Sequence, residues 1–414
     1  MMMQAAVLSS TISNSTPTGA VADAAAVRGQ LKAWLVERAY PLWWEVGADR
    51  VNGGFHEKLG LDGRPTNDAR RARVQARQVY SYSVAAKSGW NGPVREAAEH
   101  GLTFFLNHYR RPDGLFRTKV APDGTALDDT VVLYDQAFAL FALAAAQSAT
   151  PESRRAEEMA VALRQRLLDT LHHAQGGFEE SHPRTLPLLS NPHMHMLEAS
   201  LAWMEQGGDG GWRDLAEEIV GLALSRFIDD DMGGLKEFFD GDWRPQAGTS
   251  GRIVEPGHQF EWSWLMLRWA ALTGSKAAAD AAWRMIAVGE GPGVDPARGV
   301  AMNALLDDLT PHDPVARLWP QTERIKCAVL AALATRDDAD RSDTYWTMAA
   351  NGGRGLMKYF DTPVKGLWRD RLNPDGTFVE EAAPASSFYH IVCAIQELDR
   401  ALAAIGHPEA GHPG

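Results

Sequence analysis

The sequence predicts an all-α fold, an (α/α)6 barrel of six helical hairpins joined by short β-hairpin connections. Three observations predict it: a hairpin-like motif that recurs about every 60 residues, amphipathic helical patterns between its copies, and polar residues in register in successive copies. The composition is that of a soluble globular chain, because 45% of the 414 residues are hydrophobic and 23% are charged.

The recurrent motif is a glycine followed by a large apolar residue, a charged extended segment and, in most copies, an Asp-Gly turn, as in NGGFHEKLGLDGRP. Its copies begin at Asn52, Asp113, Gln175, Met232 and Lys365. A degenerate copy, ARGVAMNALLDDL, contains Gly299 and lies in the longest gap. Glycine and Asp-Gly at these places are typical of short β-hairpins. The motif therefore divides the chain into six units.

The segments between the motifs carry apolar residues at i, i+3, i+4 and i+7, for example in AEEMAVALRQRLLDTLHH. Each unit has room for two helices, which gives an inner ring of helices around a cavity and an outer ring that covers it. An open solenoid is the alternative, but six copies without polar capping units favour closure.

We expect a single catalytic domain at 25–406, a disordered leader at 1–24 and a flexible tail at 407–414. The leader is rich in Ser, Thr and Ala and has no basic residue before Arg28, so it lacks the features of a secretory signal. No apolar stretch is long enough to span a membrane. The sequence therefore predicts a cytoplasmic protein without a membrane partner.

The charge and the cysteines exclude two classes of partner. A net charge of −12 leaves no basic stripe for nucleic acid. The two cysteines, Cys327 and Cys393, both lie in apolar helical patterns and cannot form a disulfide framework or a four-ligand zinc site. We expect a monomer or homodimer that acts on a small molecule.

The helix after each motif carries one polar residue near its start. These residues are Arg73, Tyr134, His195, His258, Glu323 and His390, at intervals of 61 to 67 residues. A lone histidine is more often a structural residue, but six polar residues in register predict a ring at one mouth of the cavity. A helix N-terminus carries partial positive charge, so a histidine there is expected to be neutral and to act as a general base.

Two glutamates follow two of these histidines by three residues. Glu261 and Glu198 would then orient the imidazoles of His258 and His195, or be buried partners without a catalytic part. Metal-binding signatures such as HExxH are lacking, so we expect no metal, although a metal site assembled at the cavity mouth stays open.

The stretches NPHMHMLEA, EPGHQFEW, LWPQTERIK and SSFYH resemble the N-acylglucosamine 2-epimerase superfamily, and the resemblance extends over most of the chain. Its members include N-acylglucosamine 2-epimerases, cellobiose 2-epimerases, mannose isomerases and sulfoquinovose isomerases. The resemblance implies an (α/α)6 barrel, in agreement with the repeats.

The resemblance also implies roles for individual residues. His258 and His390 would be the catalytic acid/base pair. The expected substrate contacts are Arg73 or Arg77, Tyr134, Asn191, His195, Glu261, Trp319 and Glu323, of which Tyr134 comes from the register of repeats. The 61-residue step favours Arg73 over Arg77.

The implied chemistry is proton transfer next to a sugar carbonyl, without a cofactor because the carbonyl accepts the electrons. One histidine would assist ring opening and one would remove the C2 proton to give a cis-enediolate, with Arg73 or a neutral donor such as His195 stabilising the oxyanion. Return of the proton to C1 gives an aldose–ketose isomerase, and return to the opposite face of C2 gives a 2-epimerase.

We predict an isomerase of the D-mannose/D-fructose type that acts on an unphosphorylated monosaccharide, since no P-loop or Arg/Lys cluster is apparent. A 2-epimerase of the N-acylglucosamine or cellobiose type is the first alternative. An (α/α)6 glycoside hydrolase would need two carboxylates, for which Asp135, Glu261 and Glu323 are candidates. A carbohydrate-binding protein would explain the fourteen tryptophans but not the histidines.

Overall fold

The computed structural model describes residues 18–149 and 155–407, and in these ranges twelve helices of 12 or more residues form two concentric rings. The inner helices are α3 (Ala72–Ser83), α5 (Leu133–Ala149), α7 (Ser190–Glu205), α9 (Pro256–Thr273), α11 (Leu318–Ala334) and α13 (Ser386–Ala404). The outer helices are α1 (Gly19–Trp34), α4 (Val94–His108), α6 (Arg155–Leu171), α8 (Gly210–Leu222), α10 (Lys276–Glu290) and α12 (Ala339–Met357). The short helix α2 (Tyr40–Leu42) lies between two π-helical turns, Leu35–Ala39 and Trp43–Gly47, that prolong α1.

The inner ring is closed. Each inner helix packs on the next one along the chain, and α13 packs on α3. The outer helices α4, α6, α8, α10 and α12 pack on the inner helices that precede them, while α1 packs on α12 and α13 and completes the outer ring. This confirms the (α/α)6 barrel and excludes the open solenoid. No helix among the described residues is long and apolar enough to cross a bilayer.

The first helix begins earlier than the sequence predicted. The Thr18 hydroxyl accepts a hydrogen bond from the Val21 amide at 3.3 Å and caps α1, so 19–24 belong to the barrel and not to a leader. Their alanine-rich sequence favours a helix, and Val21 and Ala24 are buried. The rest of the predicted leader, 1–17, and 408–414 of the predicted tail lie outside the described residues.

Eighteen strands of two or three residues occupy the connections from outer to inner helices in the described ranges. They are β1 (Lys58–Leu59), β2 (Arg70–Arg71), β3 (Lys119–Val120), β4 (Ala126–Asp128), β5 (Val131–Val132), β6 (Ser181–His182), β7 (Leu188–Leu189), β8 (Ile228–Asp229), β9 (Gly234–Leu235), β10 (Phe238–Phe239), β11 (Ile253–Val254), β12 (Val294–Asp295), β13 (Val300–Ala301), β14 (Ala304–Leu306), β15 (Pro311–Asp313), β16 (Ala316–Arg317), β17 (Arg371–Leu372) and β18 (Ala383–Pro384).

The strands join successive repeats as well as closing local hairpins. The predicted hairpin forms between β3 and β4, and an isolated Leu59–Pro65 bridge closes the turn at Gly63. However, β2 pairs with β3, β5 with β6, β7 with β10, β11 with β14, and β16 with β17, each across two connections. The pair β1–β18 joins the first connection to the last. These pairs form a belt around the N-terminal ends of the inner helices.

The fourth residue of five inner helices ties each helix to the connection before it. These residues are Gln75, Gln136, His193, Gln259 and Gln321, and each accepts a hydrogen bond from a backbone amide at 2.8 to 2.9 Å. The tied amides belong to the residue after the motif glycine or to the next one. The ties therefore define which positions of the repeats are structurally equivalent, and they anchor the start of each inner helix.

Candidate active site

A cavity of about 250 Å³ opens at the N-terminal ends of the inner helices. Nine of the ten predicted site residues line it: Arg73, Arg77, Tyr134, Asn191, His195, His258, Glu261, Trp319 and His390. The tenth, Glu323, lies behind His390. The lining also contains Arg71, Glu255, Arg317, Ser386 and Ser387, which the sequence did not single out.

The ties correct the predicted register of the repeats. Two places after the hydrogen-bonding residue of each helix come Arg77, Phe138, His195, Glu261 and Glu323, respectively. Arg77, and not Arg73, is therefore the structural equivalent of His195. The spacing of 61 residues did not identify equivalent positions, because the connections between helices differ in length. The predicted ring residues therefore occupy positions from the second to the sixth of their helices. They still converge, since side chains from adjacent turns reach the same cavity.

His258 is held between two carboxylates. Its Nδ1 lies 2.9 Å from Glu237 Oε2 and 3.5 Å from Glu255 Oε2. Burial lowers the pKa of His258, but the negative charges of Glu237 and Glu255 outweigh it and raise the pKa to about 10. The expectation that His258 is neutral is therefore wrong. Its partner is Glu237, which lies between β9 and β10, and not Glu261.

The sequence missed Glu237 because it lies in a connection, 21 residues before His258. A faint signal exists, since Glu237 stands in the motif copy MGGLKEFF at the place that Glu57 and Glu180 occupy in theirs. Glu237 is buried, and its Oε2 also accepts a hydrogen bond from the Ser190 hydroxyl at 3.0 Å. The belt of strands thus places the Glu237 carboxylate beside His258 of the following helix.

His390 has the opposite surroundings. Its Nδ1 lies 2.8 Å from Glu323 Oε1, while Glu323 Oε2 lies 2.6 Å from Lys326 Nζ. Burial and the positive charges of Arg77 and Lys326 hold the pKa of His390 well below its usual range. His390 is therefore neutral. Because Glu323 accepts a hydrogen bond from its Nδ1–H, Nε2 carries the lone pair and is the basic atom.

His195 is also neutral, and Glu198 orients it as predicted. His195 Nδ1 lies 3.1 Å from Glu198 Oε2, and the Tyr389 hydroxyl donates to Glu198 Oε1. Burial lowers the pKa of His195 to about 4, although Glu198 opposes this. Since Nδ1–H donates to Glu198, Nε2 can only accept. His195 therefore suits a substrate hydroxyl, and the expectation that it donates to an oxyanion is wrong.

Trp319 forms a flat wall beside both catalytic candidates. Its ring centroid lies 4.9 Å from that of His258 and 5.8 Å from that of His390. A Cβ at position 257 would lie 2.4 Å from the Trp319 ring, so Gly257 permits this packing. Asn191 adds a polar group, since its buried Oδ1 has no hydrogen-bond partner among the described residues. An aromatic face beside hydrogen-bonding groups suits a sugar.

The two candidate arginines differ in their partners. Arg73 Nε lies 2.8 Å from Asp135 Oδ1, so its charge is balanced by a buried carboxylate. Arg77 donates to the Tyr134 hydroxyl at 2.7 Å and to the Ser386 carbonyl at 3.2 Å, and no carboxylate in the described ranges pairs with it. Arg77 is also 5% exposed. Its guanidinium is the stronger candidate for stabilising negative charge on a bound ligand.

Arginines also surround the mouth of the cavity, although the sequence showed no such cluster. Arg71 and Arg317 immediately precede α3 and α11, and both line the cavity with Arg73 and Arg77. A linear reading missed them because they lie in different repeats. Arg71 forms an ion pair with Glu57, and Arg317 Nη2 lies 3.0 Å from Asp370. These carboxylates offset part of the positive charge.

Three groups of side chains have the composition of a metal site. They are His195, Glu198 and Glu261; Glu237, Glu255 and His258; and Glu261, Glu323 and His390. The ammonium of Lys326 lies 2.6 Å from Glu323 and 3.6 Å from Glu261, so a cation of the protein already balances the third group. That the protein binds no metal therefore stays a prediction.

The architecture defines a class of protein: a barrel with a polar, aromatic-walled cavity and histidines suited to acid–base chemistry. The family model of the N-acylglucosamine 2-epimerases (GlcNAc 2-epimerases) matches residues 53–394. The chain belongs to this family.

Three relatives illustrate the likeness. A mannose-6-phosphate isomerase of Rhizobium meliloti is 48% identical over 90% of this chain and 97% of its own. A D-mannose isomerase of Thermobifida fusca is 28% identical over 84% and 88% of the two chains. The solved cellobiose 2-epimerase of Spirochaeta thermophila, with 23% identity and a TM-score of 0.82, covers 94% of this chain and 100% of its own.

Proposed function

We propose that the protein is an aldose–ketose isomerase of the D-mannose/D-fructose type that requires no cofactor. The observation that carries the proposal is the contrast between a protonated His258 and a neutral His390 facing one cavity. Groups whose pKa values are driven apart by their surroundings are suited to the roles of acid and base. The names of the Rhizobium and Thermobifida relatives, both isomerases, support an isomerase.

The reaction would begin with opening of the sugar ring, in which His258 donates a proton to the ring oxygen and takes one from the anomeric hydroxyl group. His258 is then again an imidazolium when the C2 proton is removed. His390 Nε2 then removes the C2 proton, the C2–H electrons form a C1–C2 double bond, and the carbonyl electrons move to O1. The positive charges of Arg77 and His258 stabilise the resulting enediolate. Return of the proton from His390 to C1, together with transfer of the O2 proton to O1, gives the ketose.

The 6-phosphate of the same hexose is a second candidate substrate. Arg71, Arg73 and Arg317 at the mouth favour it, as does the name of the Rhizobium relative. Their pairing with carboxylates favours the neutral sugar, because it reduces the charge that a phosphate would meet.

The test is incubation with D-mannose, and separately with D-mannose 6-phosphate, in D2O, followed by proton NMR. We expect fructose with deuterium at C1, and higher kcat/KM for the free sugar. Higher kcat/KM for the phosphate would select the second candidate. Glucose deuterated at C2 without fructose would indicate a 2-epimerase, and no turnover of either sugar would contradict the proposal.

A further inference from the structure

Three residues that immediately precede inner helices form the outermost part of the cavity wall, which we call the mouth layer. Arg71, Glu255 and Arg317 are the N-cap residues of α3, α9 and α11, and all three line the cavity. Their side chains are partly exposed, whereas the side chains of His258 and His390 are each 7% exposed and belong to positions inside their helices. A hexose with C1 and C2 at the two histidines would therefore direct C6 towards the mouth layer.

The two arginines of the mouth layer are each offset by a carboxylate. Arg71 forms an ion pair with Glu57, whose Oε2 also accepts a hydrogen bond from the Arg71 amide at 3.1 Å. Arg317 Nη2 lies 3.0 Å from Asp370 Oδ2. A phosphate or carboxylate group on a ligand would have to compete with Glu57 and Asp370 for these guanidinium groups. The arginines therefore give the mouth little net positive charge.

Glu255 is the member of the mouth layer whose charge is not offset in this way. No lysine or arginine in the described ranges forms an ion pair with it. Its Oε2 lies 3.5 Å from His258 Nδ1, but Glu237 already binds the same nitrogen at 2.9 Å. One imidazolium thus faces two carboxylates, and the mouth layer with its partners carries an excess of one negative charge.

We propose that Glu255 is a specificity-determining residue, which repels a negative charge at C6 so that the enzyme accepts a neutral hexose and rejects its 6-phosphate. The inference rests on the proposed function and names the residue that restricts it to the unphosphorylated sugar. Like charges that are brought together in a partly buried site oppose binding. Because C6 takes no part in the proton transfer between C1 and C2, the repulsion persists in the transition state and lowers kcat/KM for anionic substrates.

The test compares kcat/KM for D-mannose, D-mannose 6-phosphate and D-mannuronate in wild type and Glu255→Gln at pH 8. D-mannuronate has a carboxylate at C6 and is close to mannose in size, so it separates the effect of charge from that of size. At pH 8 the phosphate is a dianion. The Glu255 carboxyl group is also ionised, because burial and the Glu237 carboxylate, opposed by His258, raise its pKa only to about 7.

The measured quantity is the ratio of kcat/KM for each anion to kcat/KM for D-mannose. Glu255→Gln also changes the surroundings of His258, but an effect on the chemistry at C1 and C2 is common to the three sugars and cancels in the ratio. We expect both ratios to rise by about 10-fold or more in Glu255→Gln.

Two further variants control the experiment. Glu255→Asp keeps the negative charge on a shorter side chain, and its ratios should stay close to those of the wild type. Glu99→Gln removes a carboxylate that pairs with Arg95 at 2.8 Å on the outer helix α4, so it makes the same change in net charge outside the cavity and should change neither ratio. Thermal melting checks that each variant is folded.

Unchanged ratios in a folded Glu255→Gln would contradict the proposal, as would an equal rise in Glu255→Asp. A wild type with a higher kcat/KM for the 6-phosphate than for D-mannose would also contradict it, because Glu255 would then not exclude the anion. Failure of the proposed function is distinguishable, because the wild type itself would then form no fructose from D-mannose.

Discussion

The surroundings of His258 and His390 differ in the charges that lie next to each His–Glu pair, and these charges decide the chemistry of the two imidazoles. Each imidazole binds a buried carboxylate through Nδ1, at 2.9 Å and 2.8 Å. Glu323, beside His390, shares its charge with Lys326, whereas no lysine or arginine in the described ranges forms an ion pair with Glu237. The comparison teaches that a His–Glu pair is not by itself an acid or a base. The neighbouring charges determine which of the two it is: Glu255 lies beside His258, and Arg77 and Lys326 lie near His390.

The largest effect is expected from loss of the base. His390→Gln removes the basic Nε2 but retains a polar side chain, and kcat should fall by about 10³-fold or more, with C2 exchange lost as well. The measurement is the initial rate of fructose formation together with deuterium exchange in D2O. Exchange at the wild-type rate would show that another group removes the proton.

Arg77 should stabilise the oxyanion on the His390 side of the cavity. Arg77→Gln removes an unpaired charge next to the oxyanion, so kcat/KM should fall by about 100-fold. The matched variant Arg73→Gln removes a charge that Asp135 already balances, and its effect should be several-fold smaller. Steady-state kinetics of both variants checks this order, and the reverse order would return the role to Arg73.

Removal of Lys326 should make the two histidines more alike. Lys326→Met leaves the charge of Glu323 to His390 alone, so the pKa of His390 should rise. Because His390 must be neutral to act, the acidic limb of kcat should move to higher pH. The Lys326→Arg variant retains the charge and is the control. An unchanged acidic limb in folded Lys326→Met would contradict the role of the cation.

A smaller effect is expected from Glu237. The pKa of His258 is raised in the folded protein, so its proton is retained below that pKa and is lost as pH rises through it. Glu237→Gln should therefore move the alkaline limb of kcat/KM to lower pH, by about 1–3 units. Ser190→Ala removes a neutral contact of Glu237 and should shift it less. An unchanged alkaline limb of kcat/KM in Glu237→Gln would exclude Glu237 as the residue that raises the pKa of His258.

Much of the fold was predictable because it is repeated. Six motif copies and helical periodicity predicted the closed barrel, and the cavity contains nine of the ten residues named in advance. The register was predicted wrongly, because the connections differ in length. Arg73 lies two residues before the anchoring Gln75, whereas His195 lies two residues after the anchoring His193. The number of residues between two positions depends on loop length, whereas the hydrogen bonds of Gln75 and His193 to backbone amides identify structurally equivalent positions.

The protonation states could not be predicted from the sequence. A helix N-terminus suggested neutral histidines, and this holds for His195 and His390. It fails for His258 because Glu237 arrives from a separate connection through strand pairing. The cluster of Arg71 and Arg317 likewise forms only when the ring closes. Long-range contacts determine charge in a buried site, and local patterns do not contain them.

The opposite protonation states of His258 and His390 are tested most directly by NMR titration of ¹⁵N-labelled histidine side chains, with His258→Gln and His390→Gln providing the assignments. We expect His258 to remain an imidazolium from neutral pH up to about pH 10, while His390 remains neutral with its proton on Nδ1 well below pH 6.5. Titration of both imidazoles together near pH 6.5 would contradict it.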